Sequence, residues 1–209
     1  GRRLQDIEGK YEMIIGDIRD SVLVERACQG VDSVIHLAYI NGTEFFYTKP
    51  ELVLEVGVKG MMNVLDACIK NKVGQLFLAS SSEVYLTPST IPTPETVPLL
   101  VPDPLNPRYS YGGGKIISEL LTINYGRKFF KRAVIFRPHN VYGPDMGWEH
   151  AIPQLILRLR KLLNHKNLNS KKLPKLSIQG SGKETRAFIY IDDFVKAFEK
   201  IFQKGKHMQ

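Results

Sequence analysis

Leu76-Phe77-Leu78-Ala79-Ser80-Ser81-Ser82-Glu83-Val84-Tyr85 is an apolar run that breaks abruptly into hydroxyls and a carboxylate. The first four residues read as a strand. They do not alternate with polar residues, which is the pattern of a strand covered on both faces of a parallel sheet. In such sheets ligands bind beyond the carboxyl ends of the strands. Ser80, Ser81, Ser82 and Glu83 would then face a ligand crevice; the plain alternative is a serine-rich turn.

Working outward, strand-like and helix-like segments alternate. Strands are expected at 12–15, 31–38, 133–136, 176–179 and 187–191. Helical spacing runs over 20–29, with Asp20 or Ser21 as cap. It returns over 50–70, where Leu54, Val58, Met61, Met62, Leu65, Ala67 and Ile69 recur at helical intervals, and over 109–130 and 152–163. A last helix would be capped by Asp192 or Asp193. The proline-rich stretch 87–107 is loop. Such alternation implies βαβ units and a parallel α/β sheet. It also marks two further strand ends for chemistry, Ala38 onward and 137–144.

Bulk properties narrow the classes. The 209 residues suggest one domain or slightly more, with apolar and charged fractions of 43% and 24%, ordinary for a globular protein. No apolar run approaches the ~18 residues that span a bilayer, so no membrane partner is expected. The polar start is not a secretory signal, and Asn41-Gly42-Thr43 reads as a turn. Cys28 and Cys68 have no metal-ligand spacing. They read as reduced thiols in a cytoplasmic protein, with no metal site. The net charge is +8, much of it between Arg158 and Lys175. Lys161, Lys166, Lys171, Lys172 and Lys175 are mixed there with asparagine and serine, which is a solvated loop. No aromatic residues interleave them as a stacking platform requires, so no nucleic-acid partner is expected.

Tyr111 and Lys115 are four residues apart in the expected 109–130 helix and share a face. An ammonium beside a phenol favours the phenolate. Lowering a phenol from ~10 to ~7 takes about 4 kcal/mol, which a lysine and a second cation could supply together. The product is a general base for a hydroxyl; from spacing alone, an exposed helix pair is the competing reading. Gly112, Gly113 and Gly114 lie between the two. Three glycines inside a helix cost ~3 kcal/mol against alanine. Either the helix starts later, or a cofactor or partner helix approaches its backbone closely.

With these motifs in place the chain resembles the extended short-chain dehydrogenase/reductases that epimerise or dehydrate nucleotide sugars. The resemblance covers nearly all of it. Gly16-Asp17-Ile18-Arg19-Asp20 looks like the adenine-contacting segment, and Val34-Ile35-His36-Leu37-Ala38 like the strand end lining the cofactor. Ser81, Tyr111 and Lys115 match the catalytic group. Arg137-Pro138-His139-Asn140-Val141-Tyr142-Gly143-Pro144 looks like the substrate-side strand, and Arg186-Ala187-Phe188-Ile189-Tyr190-Ile191-Asp192-Asp193 like the segment whose arginine grips a diphosphate. The resemblance thus implies Asp17, Ile18, Leu37, Ala38, Tyr39, Ala79, Tyr111, Lys115 and Pro138 at the cofactor. It implies Ser81, Ser82, Glu83, Asn140 and Arg186 at the substrate. His36 reads as structural.

The implied fold is α/β, a Rossmann-like doubly wound parallel sheet truncated at both ends, with part of a small C-terminal substrate-binding region. Residues 1–145 would be the truncated cofactor domain, 146–186 the partial substrate region, and 187–209 a returning strand and helix. The implied cofactor is NAD, with NADP open. The implied substrate is a nucleotide-diphosphate sugar, transiently oxidised at C4. Glu83 fits the Ser/Thr-x-Glu pattern of dehydratases and decarboxylases, where it would act on the C5 proton; a structural carboxylate is the alternative. Ser82 stands where the dTDP-sugar 4,6-dehydratases carry aspartate. A non-sugar carbonyl reductase and a catalytically silent binding protein are further alternatives. The long helices over 50–70 and 109–130 could build the homodimer interface seen in such families.

Two departures stand out. The family's asparagine three residues before the position of Gly60, which holds a proton-relay water, is Gly57 here. No G-x-G-x-x-G precedes Gly16; Gly180-Ser181-Gly182 lacks the third glycine and sits on the substrate side. The chain therefore reads as an internal fragment, expected to bind cofactor poorly when isolated because the pyrophosphate site of the first helix is absent.

Overall fold

The computed structural model describes residues 2–148, 150–164, 175–178 and 180–208. Strands β1 (Ser33–His36), β2 (Gln75–Ala79) and β3 (Arg132–Phe136) form a parallel sheet in the order β1-β2-β3. Leu76 pairs with Val34 on one side and Ala133 on the other. A second pair, β4 (Asn140–Tyr142) with β5 (Phe188–Tyr190), is also parallel.

Period-two geometry sorts the sheet's side chains onto two faces. Leu76, Leu78 and Ala133 point into one cluster with Val24 and Cys28, and with Met61, Val64, Leu65 and Cys68. Those partners come from helix α1 (Ser21–Ala27), its C-cap, and α4 (Gly60–Lys70). Phe77, Val134 and Phe136 point the other way, onto Phe194, Phe198 and Ile201 of α7 (Ile191–Lys204). Helices therefore cover both faces, as the apolar run at 76–79 demanded. The last segment of the chain returns to the sheet, and Met208 N donates to Ala133 O.

Local rules explain the helix starts. Asp20 caps α1 by accepting from Val22 N and Leu23 N, the usual satisfaction of otherwise unpaired first-turn amides. The 50–70 helix forms as α3 (Pro50–Leu54), a π-helical turn (Glu55–Lys59) and α4. The long helix α5 (Ser110–Phe129) follows a 3-10 turn at Pro107–Tyr109 and contains all three glycines. Ser118 and Thr122, both buried on α5, donate to the carbonyls of Gly114 and Ser118. That bonding lets polar side chains lie against the core.

Several expectations change. Residues 12–15 form no strand, and Ile15 is 88% exposed. A strand needs a neighbour to bond, and no described strand pairs with this stretch. Residues 176–178 are likewise irregular, and Gln179 lies outside the described residues, as do Lys166, Lys171 and Lys172. Asp192 and Asp193 lie in the first turn of α7, whose cap is Tyr190 with no side-chain bond. Short elements with no clear periodicity were not expected: α2 (Thr43–Thr48) and 3-10 turns at Arg2–Ile7 and Ser82–Tyr85; β4 lies within the 137–144 segment that the resemblance read as a strand. Helix α6 (Ala151–Asn164) lies where the spacing put it.

Candidate active site

The site gathers at the carboxyl end of β2. Pairing with β3 continues past the strand, through Ser80 N to Phe136 O and Ser82 N to Pro138 O. These bonds hold the serine run straight until Ser81 caps the following 3-10 turn, accepting from Glu83 N. The start of α5 lies alongside. The Ser81 hydroxyl lies near enough to Tyr111 to act on its ionisation. Lys115 is buried, and its Nζ donates to Ala79 O at 2.7 Å. Ser81, Tyr111, Lys115 and Ala79 are thus brought together.

The surroundings of Tyr111 do not by themselves favour its phenolate. Burial pushes the Tyr111 hydroxyl above the ordinary phenol value. The Ser81 hydroxyl opposes this and the charge of Glu83 adds to it. Burial also pushes the Lys115 ammonium down to about 8, against the charge of Glu119. Both groups lose water on burial, and the ammonium lies over the ring of Tyr111, 5.8 Å from its centroid.

A buried network lies directly behind. Glu119 is 1% exposed, one turn beyond Lys115 on α5. Arg137 grips it with two bonds, from Nε at 2.8 Å and Nη2 at 2.6 Å. Ser80 donates to the same carboxylate, and Arg137 reaches the Tyr85 hydroxyl at 2.7 Å. One ion pair thereby ties the end of β2, the middle of α5 and the end of β3. Neither Glu119 nor Arg137 was singled out from sequence for this contact. The i,i+4 spacing of Lys115 and Glu119 was the available signal.

Glu83 is held by Arg108 at 2.9 Å, which favours the structural reading of this carboxylate. The guanidinium of Arg108 also lies over Phe46, whose ring stacks on Tyr111 at 5.1 Å. The glycines have a nearby cause. A Cβ at Gly114 would overlap the Tyr39 hydroxyl, and one at Gly57 would overlap the Tyr39 ring. The close approach is made by an aromatic residue of the same chain.

The remaining candidates lie further out. Asp17 is bound by Arg19, which also bridges to Glu55; these bonds hold the Asp17 carboxyl down at about 2. Ile18 packs toward the core, and its carbonyl accepts from Asn63. Leu37 and Ala38 are exposed just beyond β1. Asn140 donates to Ala187 O, and Arg186 is exposed and donates to Thr185 O. The Gly180–Gly182 loop spends its amides on Glu184, which accepts from Ser181 N and Gly182 N.

These residues fit the nicotinamide and ribose half of a dinucleotide. Lys115 carries three N–H bonds and spends one on Ala79 O. The exposed ends of β1 and β2 lie where parallel sheets take such ligands.

The model of the NAD dependent epimerase/dehydratase family matches residues 2–209. The chain belongs to that family. It is 31% identical over 209 residues to the dTDP-D-glucose 4,6-dehydratase of Homo sapiens, covering 98% of this chain and 55% of that protein. The dTDP-glucose 4,6-dehydratase DesIV of Streptomyces venezuelae, solved as a double mutant with NAD bound, superposes with TM-score 0.82 at 25% identity. That match covers 99% of this chain and 58% of the other. UDP-glucuronic acid 4-epimerase of Bacillus cereus, in complex with UDP-glucuronic acid and NAD, gives TM-score 0.80 at 28% identity, covering 99% and 61%. The chain spans about half the length of the curated relatives it matches. The doubly wound α/β fold agrees with these neighbours. No helix among the described residues is long and apolar enough to cross a membrane.

Proposed function

We propose that the protein carrying this chain is an NAD-dependent enzyme that modifies a nucleotide-diphosphate sugar, beginning with oxidation at sugar C4. The observation that carries this reading is the convergence of Tyr111, Ser81 and Lys115 at one strand end. A bound nicotinamide would supply the hydride acceptor. Tyr111 takes the proton of the sugar hydroxyl as general base. Ser81 orients that oxygen and donates to it as charge changes. Lys115 binds ribose hydroxyls and, once the cofactor brings its positive charge, steadies the phenolate. Asp17, Ile18, Leu37, Ala38, Tyr39, Ala79 and Pro138 line the cofactor; Ser82, Asn140 and Arg186 meet the substrate, with Arg186 offering a fork suited to a diphosphate.

Epimerisation is the first reading, because Glu83 is engaged by Arg108 and Ser82 is no acid. Dehydration through Glu83 is the second, favoured by the 4,6-dehydratase relatives. Residues 1–145 form the cofactor domain, 146–186 part of a substrate region, and 187–209 the returning segment. Exposed Ile117 and Leu120 on α5 support a homodimer through that helix. The free thiols of Cys28 and Cys68 are in keeping with the cytoplasm.

The deciding experiment incubates the protein with NAD and a panel of UDP- and dTDP-sugars, with products read by NMR and mass spectrometry. A C4 epimer or a 4-keto product, lost in Tyr111→Phe, is the expected result. Turnover undiminished in Tyr111→Phe would refute the assignment.

A further inference from the structure

The groups around the Lys115 ammonium leave its charge poorly explained. His36 faces it from β1; burial and the lysine's own charge hold that imidazole down at about 4, so it is neutral near pH 7. Glu119 faces it from α5, but that carboxylate is already gripped by Arg137 from β3 and bonded by Ser80 from β2. Burial raises the Tyr111 phenol, and its ring lies at the outer edge of cation–π range, 5.8 Å from Nζ. The Ala79 carbonyl takes one proton. The remaining neighbour is Tyr39, from the loop after β1. Lys115 Nζ lies 4.2 Å from the centroid of its ring, well inside the ~6 Å at which an aromatic face attracts a cation.

The placement of this ring is built into the backbone on both sides. Tyr39 enters between the π-helical turn and α5, over Gly57 of the former and Gly114 of the latter, and a Cβ at either position would occupy its space. The Tyr111 ring meets it edge-on at 5.0 Å. Its hydroxyl is buried without a hydrogen-bond partner, a penalty that phenylalanine would not carry. The ring is therefore held by shape, and its face is what it offers to Lys115.

We propose that Tyr39 is a positioning residue, whose ring, seated in the slot cut by Gly57 and Gly114, holds the Lys115 ammonium in place beside Tyr111. The consequence for rate rests on the function proposed above; the contact itself does not. The ring stabilises the charged form of Lys115, so weakening it lowers the pH at which the lysine loses its proton. It also lowers the alkaline limb of the kcat/KM profile by the same amount.

The test follows Lys115 by NMR of isotopically labelled lysine in the full chain, assigned with Lys115→Arg. Tyr39→Leu should lower the Lys115 midpoint by about one pH unit, and Tyr39→Phe should leave it in place. Gly57→Ala should push the ring out and lower the midpoint alone, but add nothing in a Tyr39→Leu background. Should either variant fail to fold, phenylalanine with increasing ring fluorination at position 39 keeps the shape and drains the π face. The midpoint should then fall stepwise. A flat midpoint across the fluorinated series, or an equal fall in Tyr39→Phe, overturns the proposal. A shifted midpoint with no turnover of any nucleotide sugar would count against the function and leave the contact standing. Turnover with an unshifted midpoint would sink the contact alone.

Discussion

Two regions of this molecule differ sharply in how their candidate residues are held. At the ends of β1–β3, Lys115, Glu119, Ser80 and His36 are all buried, and each polar group meets others from a different element. Around β4, β5 and α6 the reverse holds. Helix α6 has no buried residue, Asn140 and Arg186 are exposed, and their bonds go to nearby carbonyls. Reacting groups must be fixed to fractions of an ångström, and burial with interlocking bonds does this. Groups that select a substrate can be set by exposed side chains on loops and short strands, which tolerate change. One family can therefore keep one fixed centre while its members are named for different nucleotide sugars.

The comparison breaks first at Tyr111. If Tyr111 is the proposed base, Tyr111→Phe should lower kcat roughly 10²- to 10⁴-fold, with little change in urea midpoint, because the ring still packs on Phe46. A large loss of stability instead would make Tyr111 a packing residue. Next is the ion pair behind it. Glu119→Ala leaves the Arg137 guanidinium without its partner in a largely buried place and should cost about 3–5 kcal/mol by urea unfolding. A cost under ~1 kcal/mol would mean that the network is no firmer than a surface pair.

Most of the fold was legible because periodicity reports burial. The run 76–79 announced a two-sided sheet, and β2 has helices on both faces. Residues 13–15 are also an apolar run, Met13-Ile14-Ile15, but form no strand, because pairing depends on a neighbour and no local pattern reports one. The shared helix face of Tyr111 and Lys115 was legible too. Its electrostatics was not: Tyr111 and Lys115 share a helix face as expected, yet their ionisation is set by desolvation, which depends on what packs above them. Gly57 and Gly114 illustrate the same limit. The glycines between Tyr111 and Lys115 marked a close approach, whereas Gly57 read only as a missing asparagine; Tyr39, which lies against both Gly57 and Gly114, precedes them by 18 and 75 residues.

His36 sharpens the contrast through pH. Its imidazole is pushed down to about 4 by burial, with the charge of Lys115 adding to it, against ~6.5 in an unfolded chain. The unfolded state therefore binds a proton first as pH falls. Stability supplied by the neutral histidine is complete above pH 6.5 and is lost down through pH 4, by about 3 kcal/mol. Urea unfolding across that window should show the slope, and His36→Asn should remove it. An unchanged slope in the variant would assign the acid sensitivity to other groups.

The smallest expected effect on stability is at Arg186, and its smallness is what the comparison requires. Its guanidinium is exposed and bonded to the neighbouring Thr185 carbonyl, so Arg186→Ala should change unfolding free energy by no more than ~0.5 kcal/mol. If the side chain meets a diphosphate, the same variant should raise KM for the nucleotide sugar. Loss of a charged hydrogen bond worth about 1.5–3 kcal/mol corresponds to roughly 10- to 150-fold. The first turnover, read at saturating substrate, should stay near that of the unaltered protein. A fall in kcat with KM unchanged would place Arg186 among the groups that act in the transition state. The division between a fixed chemical centre and an adjustable substrate side would then have to be redrawn.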